Sequence, residues 1–148
     1  KYGIEQLSTG NVIIEHNYDK IELSNNGFEH SYYRKDIFIG EKDGKQNFYR
    51  LKDNTPVLKN DYEKVILISK DKFISYKDKK LSIKNMNEED IIEPISVEKL
   101  GHTGPQNPNG IYIARTANKD VIEIVIPNTN PTERYSFNLV TNEFKQTN

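Results

Sequence analysis

Apolar residues in this chain fall in short bursts between polar, turn-forming stretches. No window shows a capped segment with the three-and-four apolar spacing of an amphipathic helix. The bursts include Ile37-Phe38-Ile39, Phe48-Tyr49-Arg50-Leu51, Val65-Ile66-Leu67-Ile68, Phe73-Ile74-Ser75-Tyr76, Val121-Ile122-Glu123-Ile124-Val125-Ile126 and Tyr135-Ser136-Phe137-Asn138-Leu139. Each is short, rich in β-branched and aromatic types and bounded by Asp, Asn, Gly, Lys or Pro, which predicts strands. Asp43-Gly44 between two such bursts is a strong two-residue hairpin signal. Matching joints are expected at Asp78-Lys79 and Asn118-Lys119, where Lys stands in for Gly at some steric cost. Pro56-Val57-Leu58 is expected to restart an extended run, and Tyr62 to Ile68 form a β-branched and apolar stretch.

The pattern repeats. Lys1-Tyr2-Gly3-Ile4-Glu5-Gln6-Leu7 returns as Lys45-Gln46-Asn47-Phe48-Tyr49-Arg50-Leu51 and as Lys80-Leu81-Ser82-Ile83-Lys84-Asn85-Met86, at offsets of 44 and 35. Seventeen residues after the first Lys, each copy closes on one phrase: Tyr18-Asp19-Lys20-Ile21, Tyr62-Glu63-Lys64-Val65 and Val97-Glu98-Lys99-Leu100. A turn recurs inside each copy, at Ser8-Thr9-Gly10-Asn11, Lys52-Asp53-Asn54-Thr55 and Asn87-Glu88-Glu89-Asp90. Residues of these types bond the local backbone and tolerate left-handed geometry. Leu139, Thr141, Asn142 and Phe144 match Leu7, Thr9, Gly10 and Val12 at an offset of 132, which marks a partial fourth copy. The strand at 121–126 either belongs to that copy or is inserted before it.

The expected architecture is therefore all-β: tandem β-meander repeats of three or four strands, about three and a half units of 35–44 residues. The units run about 1–44, 45–79, 80–118 and 119–148 within one domain at 1–148. Each unit starts as the second arm of a hairpin whose first arm ends the unit before, so neighbouring units must pair strands. A propeller needs about four or more blades of about 40 residues, so the array is expected to be open or barrel-like rather than closed. Ile4, Phe48 and Ile83 share one repeat position, as do Leu7, Leu51 and Met86, Ile13, Val57 and Ile92, and Ile21, Val65 and Leu100. These sets are expected to face a shared interior.

Composition narrows the function. The 148 residues are one domain's worth, and a hydrophobic fraction of 34 % is lean, yet nine Tyr and six Phe argue against disorder. A net charge of −1 removes the electrostatic footprint of a nucleic-acid binder. The absence of Cys rules out disulfides, thiolate catalysis and Cys-ligated zinc. No run approaches the roughly 18 apolar residues that span a bilayer as a helix. The chain opens on Lys1, already in repeat phase, so upstream residues are expected to have been removed, by natural processing or by a boundary chosen in preparation.

The motif resembles the bacterial WG (KWG) repeat. There a Lys-Trp/Tyr-Gly-hydrophobic start leads through a Gly turn to Tyr-Asp, as in Lys1-Tyr2-Gly3-Ile4 and Tyr18-Asp19. The second copy keeps Lys45 and Tyr62, and the third keeps Lys80 and Ile92-Glu93-Pro94, with no Trp anywhere. The resemblance covers about two-thirds of the chain. It implies a β-repeat array, often in envelope or secreted proteins, so a periplasmic, surface or secreted location is favoured over the cytoplasm. It implies no chemistry.

Candidate chemistry is sparse. His16, His30 and His102 have no metal-site spacing, Glu88-Glu89-Asp90 reads as a solvated turn, and the Gly101–Gly110 segment lacks the ending of a phosphate-binding loop. No catalytic residue, metal or cofactor is expected. The spacer Ser24–Lys35 is nine residues longer than its counterpart and carries Phe28, Tyr32, Tyr33 and Arg34, types enriched at interaction hot spots. The chain is thus expected to be a non-catalytic binding or scaffold module for another protein, acting through the repeat surface and residues 24–35. The alternative is a carbohydrate or cell-wall binding module, with Tyr32, Tyr33 and Tyr112 stacking on sugars. A hydrolase ranks third.

Overall fold

The computed structural model describes residues 2–5, 12–24, 34–98, 110–126 and 132–148. These residues form antiparallel strands and no helix, and so none that is long and apolar enough to cross a membrane. The first sheet pairs β1 (Tyr2–Glu5) with β2 (Val12–Tyr18). The second orders β3 (Lys20–Leu23), β4 (Ile37–Lys42) and β5 (Lys45–Arg50). The third orders β6 (Lys64–Ser69), β7 (Lys72–Lys77), β8 (Lys80–Asn85) and β9 (Ile95–Ser96). The fourth orders β10 (Tyr112–Arg115), β11 (Val121–Ile126), β12 (Glu133–Asn138) and β13 (Phe144–Gln146).

Each full sheet is a consecutive four-step meander, but the sequence repeat is out of phase with it. Lys45 and Lys80 begin third strands, so each of these repeats starts in the later part of one sheet and ends in the opening strands of the next. That is the interlocking the hairpin joints require. By the same rank β11 is the second strand of its sheet, in the place of β4 and β7.

The joints follow backbone chemistry. Asp43 and Gly44 have φ of 53° and 77°, and Asp78 and Lys79 have 53° and 62°. Two left-handed central residues are what a type I′ hairpin requires, and Lys79 tolerates the geometry despite its Cβ. Asn118-Lys119 differs from the expectation, because it joins first and second strands rather than second and third. Asn118 uses its side chain instead, Oδ1 accepting from Asp120 N at 2.9 Å, and Thr116 Oγ1 donates within the same turn. Asn54 and Asn142 sit at φ 58° and 65°, each in the turn that follows the third strand of its sheet, as their alignment with Gly10 suggests.

The Pro56-Val57-Leu58 run forms no strand. Pro56 makes a lone bridge to Tyr49, having no N–H for a ladder. The buried Asn47 side chain takes over, donating to the Leu58 carbonyl at 3.0 Å and to Asp61 Oδ1 at 2.9 Å while accepting from Leu58 N at 3.1 Å. Tyr62 to Ile68 also divides: Tyr62 bridges Gln46 in the second sheet, and the third begins at Lys64.

The sheets stack face to face, giving three successive cores instead of one shared interior. Tyr18 and Phe38 join the first sheet to the second, with Ile4, Ile21, Tyr49 and Leu51 against them. Ile37, Ile39, Phe48, Tyr62, Val65, Leu67 and Phe73 join the second to the third. A larger, mostly aliphatic cluster joins the third to the fourth, including Ile66, Ile74, Ile83, Ile113, Ile124 and Phe137. Equivalent residues therefore face equivalent contacts: Ile4, Phe48 and Ile83 each point toward the following sheet. Leu7, Ile13 and Leu100 of the matched sets lie where no side chain is described. Among the described residues no core joins the fourth sheet to the first, and the array is open.

Candidate functional site

The repeated closing phrase is the crossing between sheets. Tyr18 ends the first sheet, Asp19 steps across and Lys20 begins the second; Tyr62, Glu63 and Lys64 do the same one sheet later. The acid grips the hairpin turn of the sheet being entered. Asp19 Oδ2 accepts from Asp43 N at 2.8 Å, and Glu63 Oε2 accepts from Asp78 N at 3.0 Å. The tyrosine latches to the left-handed residue of that sheet's other turn: the Tyr18 hydroxyl donates to Asn54 Oδ1, and the Tyr62 hydroxyl to Glu88 Oε1 at 2.8 Å. At the third crossing Val97 replaces the tyrosine, and Tyr76 donates to its carbonyl at 2.7 Å instead.

Glu88-Glu89-Asp90 is therefore more than a solvated turn, and its three carboxylates diverge. Glu88, at φ 66°, also accepts from Lys59 N at 2.8 Å and Asn60 N at 3.1 Å, tying the turn to the sheet behind. Glu89 accepts from Asn85 Nδ2 at 3.0 Å, and Asp90 accepts from Ser82 Oγ and Lys84 Nζ, both at 2.7 Å. Burial works to raise the Glu88 pKa, but the Lys59, Tyr62 and Asn60 hydrogen bonds outweigh it and hold the carboxyl below its ordinary 4.5. Burial first, and then Glu88, push the Tyr62 phenol upward, so it remains a donor.

Between the second and third sheets lies an open cleft of about 450 Å³. Ser75 and Ser82 form its floor, with Tyr62, Lys77, Lys84 and Asp90 around them. Both serines are buried, at 2 % and 3 % exposure. They are directly paired across β7 and β8. Small residues here leave room that larger ones would fill. The aligned pair in the second sheet is Gly40 and Asn47.

The spacer expected to bind a partner is an insertion in the hairpin between β3 and β4; in the third sheet Lys70-Asp71 close the equivalent hairpin. Its base is pinned. Ser24 Oγ accepts from Arg34 N at 2.9 Å and donates to the Arg34 carbonyl at 3.0 Å, while the Ser24 carbonyl accepts from Leu67 N at 3.0 Å. The Arg34 guanidinium lies bidentate on Asp36, at 3.0 and 2.6 Å. Those bonds to Arg34, against the lesser effect of burial, hold the Asp36 carboxyl below its ordinary range. Phe28, Tyr32, Tyr33, His30, His102 and residues 101–109 lie outside the described residues, as does any side-chain geometry for His16 and Tyr112. Among the described residues no three acidic or imidazole groups converge to hold a metal.

No protein-family model matches the chain, and no curated protein matches it. Among solved structures, the crystal structure of the N-terminal domain of Nup159 is similar at a TM-score of 0.40 and 15 % identity. The likeness covers 89 % of this chain and 34 % of that one, so the chain spans about a third of that length.

Proposed function

We propose that this chain is a non-catalytic binding module that engages a protein partner through residues 24–35, with Phe28, Tyr32, Tyr33 and Arg34 making the contact. The supporting observation is the pinned base of the insertion. A two-residue hairpin in the third sheet is replaced in the second by a long, aromatic-bearing segment whose ends Ser24 holds together. Loops carried on a rigid β scaffold are where recognition residues concentrate. Asp36 already orients the Arg34 fork, which suits planar recognition of a partner's polar groups. The WG-type reading of the repeat is carried forward with this proposal, on Lys1-Tyr2-Gly3-Ile4 and Tyr18-Asp19.

The test is the double substitution Tyr33→Ala with Arg34→Ala, assayed by affinity capture from the native source alongside wild type and by thermal melting. Loss of a specific partner with a melting temperature close to wild type supports the proposal. A large drop in melting temperature would return Tyr33 to a structural role. Unchanged capture, or binding to a glycan array lost in the variant, would overturn the protein-partner reading.

A further inference from the structure

The strand that opens on the repeat Lys has a neighbour on each side in the second and third sheets. β8 lies between β7 and β9, and β5 pairs with β4 on one side and bridges Pro56 and Tyr62 on the other. β1 carries the same repeat position, yet among the described residues it pairs with β2 alone. Tyr2 pairs with Tyr18 as Gln46 bridges Tyr62, so β2 holds the outer place and the place of β4 is empty. The side chains record the difference. In the second contact, where Ile37 and Ile39 of β4 join the core, Gln46, Phe48, Val65 and Leu67 are all buried. Their counterparts at an offset of 44 are uncovered: Tyr2 is 62 % exposed and Leu23 54 %, and Ile4 and Ile21 are half-buried. Ile4, Ile21, Leu23, Phe38 and Leu51 line an open, mostly apolar cleft of about 280 Å³ there.

We propose that the protein partner adds a β-strand to the free edge of β1, antiparallel to it and in the place that β4 holds beside β5. The source of that strand rests on the protein-partner reading above. Its chemistry is set by the aligned contact. Apolar side chains at alternate positions, as Ile37 and Ile39 are in β4, cover Ile4, Ile21 and Leu23 while the strand's backbone pairs with Tyr2–Glu5. An edge strand presents a row of unpaired N–H and C=O groups, and strand addition gains affinity from them and specificity from pockets for alternate side chains. The location ties the site to the partner. Leu23 and Lys35 line the cleft and flank Ser24 and Arg34, whose hydrogen bonds pin the base of the 24–35 insertion, so one partner reaches both.

The probe is a synthetic peptide of residues 35–44, the chain's own β4 segment with blocked ends, titrated into the full chain while backbone amide shifts are followed. The control is the same peptide with Ile37→Ser and Ile39→Ser. The expected result is saturable shifts at Tyr2–Glu5 and Leu23 with the first peptide and binding about tenfold weaker or less with the control. Leu23→Lys sets a charge in the cleft from an exposed position. It should weaken peptide binding about tenfold or more with a melting temperature close to wild type. Tyr33→Ala with Arg34→Ala should take the peptide as wild type does, so failure at this edge and failure of the contact at 24–35 are read separately. No shifts in β1, equal binding of the two peptides, or undiminished binding by Leu23→Lys would each overturn the proposal. Self-association of wild type that Leu23→Lys abolishes would assign the edge to a second copy. Peptide binding lost in a chain extended before Lys1 would assign it to the same polypeptide. Either result overturns a partner strand.

Discussion

Tyr18 and Tyr62 occupy one place in two successive sheet contacts, each edge-on to a phenylalanine of the next sheet and beneath a lysine. Around Tyr18 the space is closed by a third ring, Tyr49, over a glycine whose missing side chain lets the rings sit on the backbone. Around Tyr62 the glycine has become Ser75, the ring has become Lys84, and a cleft remains. The latches differ too, since Tyr18 meets the neutral Asn54 and Tyr62 the charged Glu88. A repeat array can thus keep its frame through the crossing phrase while one or two other positions turn a packed contact into a cleft.

The largest expected effect falls inside the second contact. Phe48 is completely buried, 5.7 Å edge-on from Phe73. Phe48→Ala should cost about 3–5 kcal/mol, read by urea unfolding. Ile4, at the same repeat position in the first contact, is only half-buried, and Ile4→Ala should cost clearly less. Equal losses would mean that the second contact, despite its cleft, is no more tightly built at its centre than the first.

A smaller effect separates the two floors. A Cβ at Gly40 would lie 2.7–2.8 Å from carbons of the Tyr18 and Tyr49 rings, closer than packed atoms allow. Gly40→Ala should therefore destabilise by about 1–3 kcal/mol through overpacking. Ser75→Ala, at the aligned position, removes a buried hydroxyl that no group among the described residues hydrogen-bonds, and should be neutral or slightly stabilising. Thermal melts of the two variants test this directly. If both substitutions are silent, the rings of the first contact are free to move aside and the comparison loses its basis.

How much of this could be read from the chain alone follows from what each feature depends on. The strands, the type I′ turns at Asp43 and Asp78 and the open array depend on local residue types and on a repeat count, so the sequence exposes them. The phase of the sheets does not show, because Tyr18-Asp19-Lys20 is one continuous phrase that the backbone divides between two sheets. Asn118-Lys119 imitates a hairpin signature, and only pairing reveals that Asn118 bonds Asp120 instead of turning left-handed. The cleft was hidden for another reason. Aligning Tyr49 with Lys84 at the known offset would have flagged an aromatic lost from one copy, but an empty volume appears only when two sheets face each other. Glu88 was masked by its neighbours: three acids in a row look like one cluster, and the left-handed backbone at Glu88 sends its carboxylate to a different sheet.

The smallest effect concerns the latches, and pH reads it. Burial, followed by the Tyr49 charge, pushes the Tyr18 phenol up to about 12, against the opposing Asn54 hydrogen bond, so the first latch stays neutral throughout the acidic range. Glu88 in the second latch is held below its ordinary 4.5 by its donors. Its contribution to stability is therefore complete above the unfolded carboxylate's titration and is lost as pH falls through the lower folded value. Glu88→Gln, which removes the charge while keeping one acceptor, should cost about 1 kcal/mol at neutral pH, since solvent screens a half-buried group. Below the folded value wild type and variant should converge, because both then present a neutral side chain to Lys59, Asn60 and Tyr62. Asn54→Ala should instead lower stability by the same amount at every acidic pH. Urea midpoints for the three proteins across the acid range would show one difference that closes and one that stays parallel. Two parallel offsets would place the charge of Glu88 outside the energetics of the second contact.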